Sequence, residues 1–361
     1  MKHILIITPI FPPRTGGPAT YTWNLVHRLK SSHQLTIICF GSNATQIAGI
    51  KIIAISPHQA AILRQLKLLI NVLFYGLGSS TVYIQGPLVV GLASSIAARI
   101  FSKKILLKFV GDEVWESTRL KHRTTLTLDN FYQVPHPFLT RFQIILENIS
   151  FSLAHSIIVP SSYLKSFLAH HFHINPTKII VISNAVNIPA PPSTHKRKQL
   201  IYIGRLVPWK NIDQIITATN LARTHKLWDL LIVGEGPELA KLKKLVTKLK
   251  ANSWVKFTGR QSISQTLTHL NRSQKILLFS DYEGLSHTLI EAMLTKTAII
   301  ASDIRPNHEV THGFAQLVPN GNIQKLSQAI NTPSSHISRA YSYALKHYSW
   351  SNHLTKLQQY F

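Results

Sequence analysis

Short runs rich in isoleucine, valine and leucine recur along almost the whole chain, and they constrain its fold more than any other feature. Most of these runs are continuous and do not alternate with polar residues, which is typical of strands buried on both faces of a parallel sheet. Helical stretches separate them, and strands that alternate with helices predict an α/β fold with doubly wound parallel sheets. The predicted strands are residues 3–8, 35–40, 104–109, 156–160, 178–182, 199–204, 229–233, 275–279 and 298–302, and the predicted helices include 20–30, 61–75, 88–101, 237–250 and 288–296.

A proline-rich segment divides the chain into two halves. Residues 189–198 combine prolines with a basic cluster, and a new apolar run begins at Leu200. A chain of 361 residues is long enough for two domains of about 150 residues each. We therefore predict an N-terminal Rossmann-like domain over 1–188, a linker over 189–198 and a C-terminal Rossmann-like domain over 199–340. Ligands of such sheets bind at the carboxyl ends of the strands.

The chain is strongly basic, with 39 lysines and arginines, 14 aspartates and glutamates, and a formal net charge of +25. Such a protein is expected to meet polyanions, which are nucleic acid, an anionic membrane face or phosphorylated substrates, and the charge does not choose among them. The single cysteine, Cys39, lies in an apolar run and is predicted to be a buried strand residue, which fits a reducing compartment. No uncharged apolar stretch reaches about 20 residues, so no membrane-spanning helix is predicted.

The stretch from Ala61 to Leu77 is amphipathic and carries Arg64 and Lys67 beside many apolar residues. It is either a packed helix of the first domain or a helix that lies on an anionic membrane surface. The sequence leaves both interpretations open.

Two carboxylates lie on either side of a strand-to-helix turn in the segment 280–293. Glu283 precedes Gly284, and Glu291 belongs to the helix that follows. The amides of the turn and the positive end of the helix suit a phosphate group. Carboxylates beside them suit the hydroxyl groups of a sugar, so the segment predicts a nucleotide-sugar site.

Two simpler interpretations of these carboxylates remain open. Thr288 and Glu291 have the spacing of a capping box, in which Glu291 would only close the start of its own helix. Asp281 and Glu283, two positions apart at a strand end, also have the oxygen donors that a divalent metal prefers.

Two other loops carry residues suited to a ligand at a sheet edge. Arg205 and Lys210 lie in the loop that follows a predicted strand. The guanidinium of Arg205 and the ammonium of Lys210 would stabilise a departing diphosphate there. Alternatively, both are solvated loop cations. Gly16 and Gly17 join the first strand to the first helix and either admit a ligand close to the backbone or form a plain turn. The segment 234–238 lacks the third glycine of a dinucleotide motif and is predicted to be a strand-to-helix turn.

Together these motifs resemble the retaining glycosyltransferases of family 4, which have the GT-B fold of two facing Rossmann-like domains. The resemblance covers nearly the whole chain. It rests on Gly16-Gly17, Gly204-Arg205-x₄-Lys210, Val233-Gly234-Glu235-Gly236-Pro237 and above all Glu283-x₇-Glu291.

The resemblance implies a role for each residue of these motifs. Glu291 is expected to hold the ribose, Glu283 the hydroxyls of the transferred sugar, and Arg205 with Lys210 the diphosphate. Contacts to phosphate or sugar are further implied for Gly16, Gly17, Gly284, Leu285, Ser286, His287 and Thr288.

The chain departs from the family at Val110, where members commonly have histidine. Asp112 is the candidate for the missing contact to the sugar, and capping of the following helix explains it equally well. The resemblance also implies that residues 341–361 form a terminal helix that crosses back to the N-terminal domain.

The implied reaction moves a sugar from a UDP- or GDP-sugar to a hydroxyl of a glycan or lipid-linked acceptor, with retention and with no metal or cofactor. Polysaccharide biosynthesis, a cytoplasmic location and peripheral contact with the inner face of the cell membrane are expected. The alternatives are a nucleotide-sugar epimerase of GT-B architecture and a non-enzymatic nucleic-acid-binding protein. Nucleic acid is not the expected partner, because the sequence has no recognisable nucleic-acid-binding motif.

Overall fold

The computed structural model describes residues 1–14, 16–187, 192 and 195–361 of the chain. Half of the linker predicted over 189–198, namely residues 189–191, 193 and 194, therefore lies outside the described residues. The chain divides into two compact units. Unit 1 comprises Met1–Ser117, Asp129–Ile182 and Lys356–Phe361, and unit 2 comprises Thr118–Leu128 and Ser183–Thr355.

The first half of the chain supplies a seven-stranded parallel sheet and the helices around it. The strands are β1 (His3–Thr8), β2 (Gln34–Phe40), β3 (Lys51–Ile55), β4 (Thr81–Gln85), β5 (Lys104–Lys108), β6 (Ser156–Val159) and β7 (Ile179–Val181). The helices are α1 (Gly17–Leu29), α2 (Ala61–Gly76), α3 (Gly91–Ile100), α4 (Glu113–Leu120), α5 (Leu128–Phe131), α6 (Phe138–Leu153) and α7 (Ser162–His171).

The strand order of this sheet is β3-β2-β1-β4-β5-β6-β7, so the chain changes direction across the sheet between β1 and β4. The apolar residues of β1, from Ile4 to Ile7, have no exposed surface, as the continuous apolar run predicts for a strand covered on both faces. The loop with Gly16 and Gly17 leaves the carboxyl end of β1, at the switch point where ligands of such sheets bind.

The second half of the chain supplies a six-stranded parallel sheet, again with helices around it. The strands are β8 (Arg197–Ile203), β9 (Asp229–Val233), β10 (Val255–Gly259), β11 (Ser273–Leu278), β12 (Ala298–Ser302) and β13 (Gln316–Val318). The helices are α8 (Ile212–Ala222), α9 (Leu239–Lys248), α10 (Ile263–Arg272), α11 (His287–Leu294), α12 (Arg305–Thr311), α13 (Ile323–Asn331), α14 (Ile337–His347) and α15 (Trp350–Leu357).

The predicted α/β class with two doubly wound parallel sheets is confirmed, and each of the nine predicted apolar runs forms a strand. Four strands were not indicated by the sequence, namely β3, β4, β10 and β13. Strand β4 lies in the middle of its sheet but contains Thr81, Tyr83 and Gln85, so it has no continuous aliphatic run. Strands β3, β10 and β13 are edge strands, where one side lacks a neighbour and apolar patterning is weaker.

Two loops of unit 2 pack backbone against backbone at the carboxyl ends of β8 and β9. A Cβ at Gly234 would lie 1.9 Å from the carbonyl oxygen of Gly204, and a Cβ at Gly236 would lie 2.3 Å from that of Leu206. The amide of Leu206 donates to the carbonyl of Glu235 at 2.9 Å. These glycines therefore permit the close approach of two loops, and one of those loops carries Arg205.

Replacing Gly234 by alanine should lower the free energy of unfolding by more than about 3 kcal/mol, because the added Cβ meets rigid backbone. Gly313→Ala is the matched control. Gly313 has a φ of +79° but no atom within 4 Å of an added Cβ, so only the backbone preference is lost, at about 1 kcal/mol. Urea unfolding of both variants measures the difference, and equal losses would contradict the loop-packing role.

Candidate functional site

The switch point of the unit 2 sheet lies between β8 and β11, which are neighbours in the sheet although they are far apart in the chain. The loop after β8 carries Arg205 and Lys210, and the loop after β11 carries Glu283. The backbone joins the two loops, since the amide of Asp281 donates to the carbonyl of Trp209 at 2.8 Å. Two motifs that the sequence analysis identified separately therefore form one site.

Lys210 and Glu283 form a sheltered ion pair in this site. The Nζ atom of Lys210 lies 2.5 Å from Oε1 of Glu283, and the Oγ atom of Ser280 donates to the same oxygen at 2.7 Å. Only 8% of Glu283 is exposed. A carboxylate removed from water needs such charge-assisted partners, so the pair holds both side chains in a defined position.

Asp281 anchors the turn that carries Glu283. Its Oδ1 atom accepts a hydrogen bond from Nδ2 of Asn211 at 2.6 Å, and its Oδ2 atom accepts one from the buried guanidinium of Arg119 at 2.9 Å. Asn211 has a φ of +47°, a left-handed conformation that asparagine tolerates better than most residues. The side chain of Asp281 thus binds two segments of unit 2 to the same loop.

These pairings bear on the metal interpretation of Asp281 and Glu283. Each carboxylate has a cation at hydrogen-bond distance, Arg119 for the first and Lys210 for the second. Across the described ranges, no three or more histidine, cysteine, aspartate or glutamate side chains are grouped so that they would hold a metal. Both carboxylates are therefore engaged by cations of the protein itself.

The capping-box interpretation of Glu291 is wrong. Helix α11 begins one residue after Ser286, whose Oγ atom accepts a hydrogen bond from the amide of Leu289 at 3.3 Å. Ser286 is therefore the N-cap, and the third helical position belongs to Leu289 and not to Glu291. Glu291 lies further along the helix, where it is partly buried, and burial raises the pKa of its carboxyl to about 7.

The remaining residues of this motif, from Gly284 to Thr288, form the turn and the first residues of α11. The eight-residue helix directs its positive end toward this turn, as the sequence analysis expected. Glu283 precedes the helix by four positions, so the ion pair and the helix start are close along the chain.

The side chain of Arg205 is exposed, and a hydrogen bond fixes its backbone carbonyl. The hydroxyl of Tyr202 donates to its carbonyl oxygen at 2.9 Å, and its guanidinium lies 5.5 Å from the ring centroid of the buried Trp209. Stacking on an aromatic face orients a guanidinium.

Gly16, Gly17 and Asp112 lie in unit 1. Gly16 is the N-cap of α1 with a φ of +152°, and a Cβ there would lie 2.7 Å from the side chain of Ile10. Beside Gly17, no described atom lies within 4 Å of an added Cβ, so open space adjoins the start of α1.

Asp112 is completely buried and both of its oxygens are engaged. Its Oδ1 atom accepts from the amide of Trp115 at 2.7 Å, which is the geometry of a cap at the start of α4, and its Oδ2 atom accepts from the hydroxyl of Tyr132 at 2.6 Å. Burial raises the pKa of Asp112 to about 6. The geometry favours the capping interpretation that the sequence left open, and Val110 is partly exposed beside it.

No motif in the sequence indicates that Arg119, Asn211 and Ser280 belong to the site. Asn211 follows Lys210 directly, and an asparagine before a helix is a recognisable signal for a left-handed residue. Arg119 is 162 positions away from Asp281, and no spacing rule connects them.

Two family models match the chain, one over each half. The model described as "Glycosyltransferase Family 4" matches residues 15–189, and the model described as "Glycosyl transferases group 1" matches residues 185–335. The second match includes Arg205, Lys210, Glu283 and Glu291.

Curated relatives are similar over part of their length. An uncharacterized glycosyltransferase of Methanocaldococcus jannaschii is 28% identical over 208 residues, which are 49% of this chain and 52% of that protein. The O-antigen chain mannosyltransferase RfbU of Salmonella typhimurium is 24% identical over 260 residues, which are 65% of this chain and 72% of that protein. The first match thus spans about half of its relative.

Solved structures are similar over the whole chain. Sucrose-phosphate synthase from Thermosynechococcus elongatus has a TM-score of 0.81 at 16% identity and covers 100% of this chain and 98% of its own. Anabaena HepE in complex with UDP and glucose has a TM-score of 0.77 at 18% identity, and the match covers 99% of this chain and 98% of HepE. These similarities confirm the GT-B fold.

The pKa of Glu291 predicts how one substitution changes stability with pH. Because its carboxyl titrates near 7 in the folded protein and near 4.5 when unfolded, its ionisation destabilises the fold as the pH rises from about 4.5 to about 7, and no further above. Glu291→Gln removes this effect. The variant should therefore gain about 1–3 kcal/mol of stability relative to the parent between about pH 5 and about pH 8.

Urea unfolding of both proteins at each pH measures the difference, in which the other titrating groups cancel. A difference in stability that does not change with pH would contradict the raised pKa.

Proposed function

Because the chain belongs to the glycosyltransferases of family 4 and group 1, we propose that it transfers a sugar from a UDP- or GDP-sugar to a hydroxyl of an acceptor. The observation that carries the proposal is the cluster of Lys210, Glu283 and the exposed Arg205 next to the start of α11. Positive charge for a diphosphate and carboxylate oxygens for sugar hydroxyls lie together there.

Each residue has a proposed part in donor binding. Lys210 and Arg205 hold the diphosphate, together with backbone amides of the turn from Gly284 to Thr288. Glu283 accepts hydrogen bonds from the transferred sugar, and Glu291 accepts them from the ribose. Glu283 has partners on Oε1, and a carboxylate has two oxygens with room for further donors.

The reaction places negative charge where these cations lie. As the bond from the anomeric carbon to the diphosphate oxygen breaks, the sugar becomes oxocarbenium-like and charge grows on the leaving group. Arg205 and Lys210 stabilise that charge. The leaving phosphate takes the proton of the acceptor hydroxyl on the same face, so the new bond retains the configuration and no protein nucleophile is required. We expect no metal and no cofactor to be needed.

In this scheme Lys210 contacts both the diphosphate of the donor and the carboxylate that binds the sugar. Without donor its ammonium neutralises Glu283, and it has three N–H donors to share. With donor bound, the same ammonium bridges the carboxylate and the diphosphate, which holds the Glu283 carboxylate next to the sugar hydroxyls.

The residues of unit 1 have more limited proposed roles. Open space beside Gly17 supports a backbone contact to phosphate or sugar, and Gly16 shapes the turn that exposes it. Asp112 has both oxygens occupied, so we assign to it the positioning of α4 rather than direct contact with the sugar.

The acceptor is proposed to be a glycan or a lipid-linked glycan, in polysaccharide biosynthesis on the cytoplasmic side of the cell membrane, with peripheral membrane contact. The similarity to an O-antigen chain mannosyltransferase supports this class of acceptor, and the UDP bound to HepE supports a nucleotide donor. Both family models describe glycosyltransferases, and neither an epimerase nor a nucleic-acid-binding protein has support from them.

Replacing Arg205 and Lys210 by alanine should reduce kcat for sugar transfer at least about a hundredfold, the cost of losing a donor that stabilises developing charge. Lys243→Ala, on exposed α9, is the matched control and should leave kcat unchanged. Release of nucleoside diphosphate in the presence and absence of EDTA is the measurement. A loss below tenfold makes the two cations bystanders, and abolition by EDTA would restore the metal interpretation of Asp281 and Glu283.

Glu291→Ala should weaken donor binding at least tenfold, about 1.4 kcal/mol, if its carboxylate holds the ribose. Thermal shift across UDP-, GDP- and ADP-sugars first identifies the donor, which stabilises the fold on binding. The parent should then prefer the ribonucleotide over its 2′-deoxy analogue, and the variant should lose that preference. An unchanged preference would exclude the ribose role even if affinity falls.

A further inference from the structure

Three neighbouring helices of unit 1 form one continuous surface. Helix α2 contacts α3, and α3 contacts α6. Two hydrogen bonds join the ends of these helices. Nζ of Lys103, just after α3, donates to the carbonyl of Leu77 at the end of α2 at 2.7 Å. Nε of Arg99, in α3, donates to the carbonyl of Leu153 at the end of α6 at 2.8 Å. We call the solvent side of α2, α3 and α6 the apolar face, for the residues described next.

Helix α2 exposes a stripe of large apolar side chains. Residues four positions apart lie on the same side of a helix, and this stripe consists of Ile62, Leu66, Ile70 and Phe74, which are 77%, 50%, 61% and 72% exposed. The residues that the helix buries lie on its other side, Leu68, Val72 and Gly76. The helix is therefore apolar on both sides.

Helix α6 is organised in reverse to an ordinary surface helix, which buries its apolar side and exposes its polar side. It exposes Phe138, Phe142, Ile145 and Ile149. It buries Glu147 and Ser150 together with Phe151. Between α2 and α6, α3 exposes Ile96 and Ile100 and buries small residues, Ser94, Ser95, Ala97 and Ala98.

The charges of this surface have one sign. Residues 61–104 contain no aspartate or glutamate, and residues 138–153 contain only Glu147, which is completely buried. The same segments contain Arg64, Lys67, Arg99, Lys103, Lys104 and Arg141. A matching partner is therefore both apolar and anionic.

We propose that the apolar face inserts into the headgroup region of an anionic lipid bilayer. Monomeric soluble proteins rarely expose so extended an apolar patch, and helices with this combination of apolar and basic residues bind membrane interfaces. Anionic headgroups attract the basic residues while the acyl boundary accepts the isoleucine and phenylalanine side chains. Within the residues that the structure describes, no helix is both long and apolar enough to span the bilayer.

A second copy of the chain fits this surface less well than a bilayer does. It would bring the same basic residues against Lys67, Arg99 and Arg141, and like charges facing one another oppose association. The inference names the surface behind the peripheral membrane contact of the proposed function, but it depends on this surface alone and not on sugar transfer.

Flotation of the full chain with vesicles tests the proposal. The protein should float with vesicles of phosphatidylcholine that contain about a third phosphatidylglycerol, and much less with phosphatidylcholine alone. The variant Ile70→Ser, Phe74→Ser, Phe142→Ser should lose at least tenfold in its partition onto the anionic vesicles. The matched control Leu227→Ser, Ile263→Ser removes side chains of unit 2 that are 67% and 54% exposed, and its binding should be unchanged.

A charge variant tests the electrostatic part separately. Lys67→Glu, Arg141→Glu should lose most of the preference for anionic over neutral vesicles. Equal binding by the parent to both kinds of vesicle, or unchanged binding by the serine variant, would overturn the proposal.

Two further readouts distinguish the alternatives. A dimer of the parent in lipid-free buffer that the serine variant lacks would show that a second copy covers the face, and would also overturn the proposal. Donor hydrolysis in lipid-free buffer measures the sugar chemistry by itself, so a failure of membrane binding is distinguishable from a failure of the proposed function.

Discussion

The carboxylate of Glu283 sets the strongest constraint on the candidate site. A charged group that is almost removed from water is stable only when opposite charge and hydrogen bonds replace its hydration. Lys210 and Ser280 supply both, and they do so only if the loops after β8 and β11 lie side by side. The ion pair therefore depends on the strand order of unit 2, and the position of the Glu283 carboxylate depends on the ion pair.

Close backbone packing provides the rigidity that this arrangement needs. Gly234 and Gly236 let the loop after β9 approach the loop that carries Arg205, at distances that no side chain would allow. On the other side, Asp281 binds Asn211 and Arg119, so the turn before α11 has little freedom. A leaving group that gains charge is stabilised best by cations that do not have to reorganise, and these contacts hold the backbone from which the cations project.

Unit 1 buries charged side chains and exposes apolar ones, which is the reverse of the usual arrangement. It buries Asp112 and Glu147 completely and Glu113 in part, and burial raises the pKa of each carboxyl above its usual range. It also exposes isoleucine and phenylalanine on α2, α3 and α6. Both features cost stability in water, and the second is relieved when an apolar and anionic surface covers the helices. For the lipid-linked acceptor proposed above, such a surface would bring the enzyme to the plane in which that acceptor lies.

Periodicity and local motifs were sufficient to predict the α/β class, nine of the strands, the loops that carry Arg205, Lys210 and Glu283, and the helix that carries Glu291, because these signals depend on neighbours in the chain. The pairing of Lys210 with Glu283 and the contact of Arg119 with Asp281 were decided by tertiary structure. Strand order brings Lys210 and Glu283 together across 73 positions, and Arg119 contacts Asp281 across 162 positions. Sequence spacing carries no information at that range. Tertiary structure also decided which side of α6 is exposed. An amphipathic pattern shows that a helix has two sides but not which of them the sheet covers.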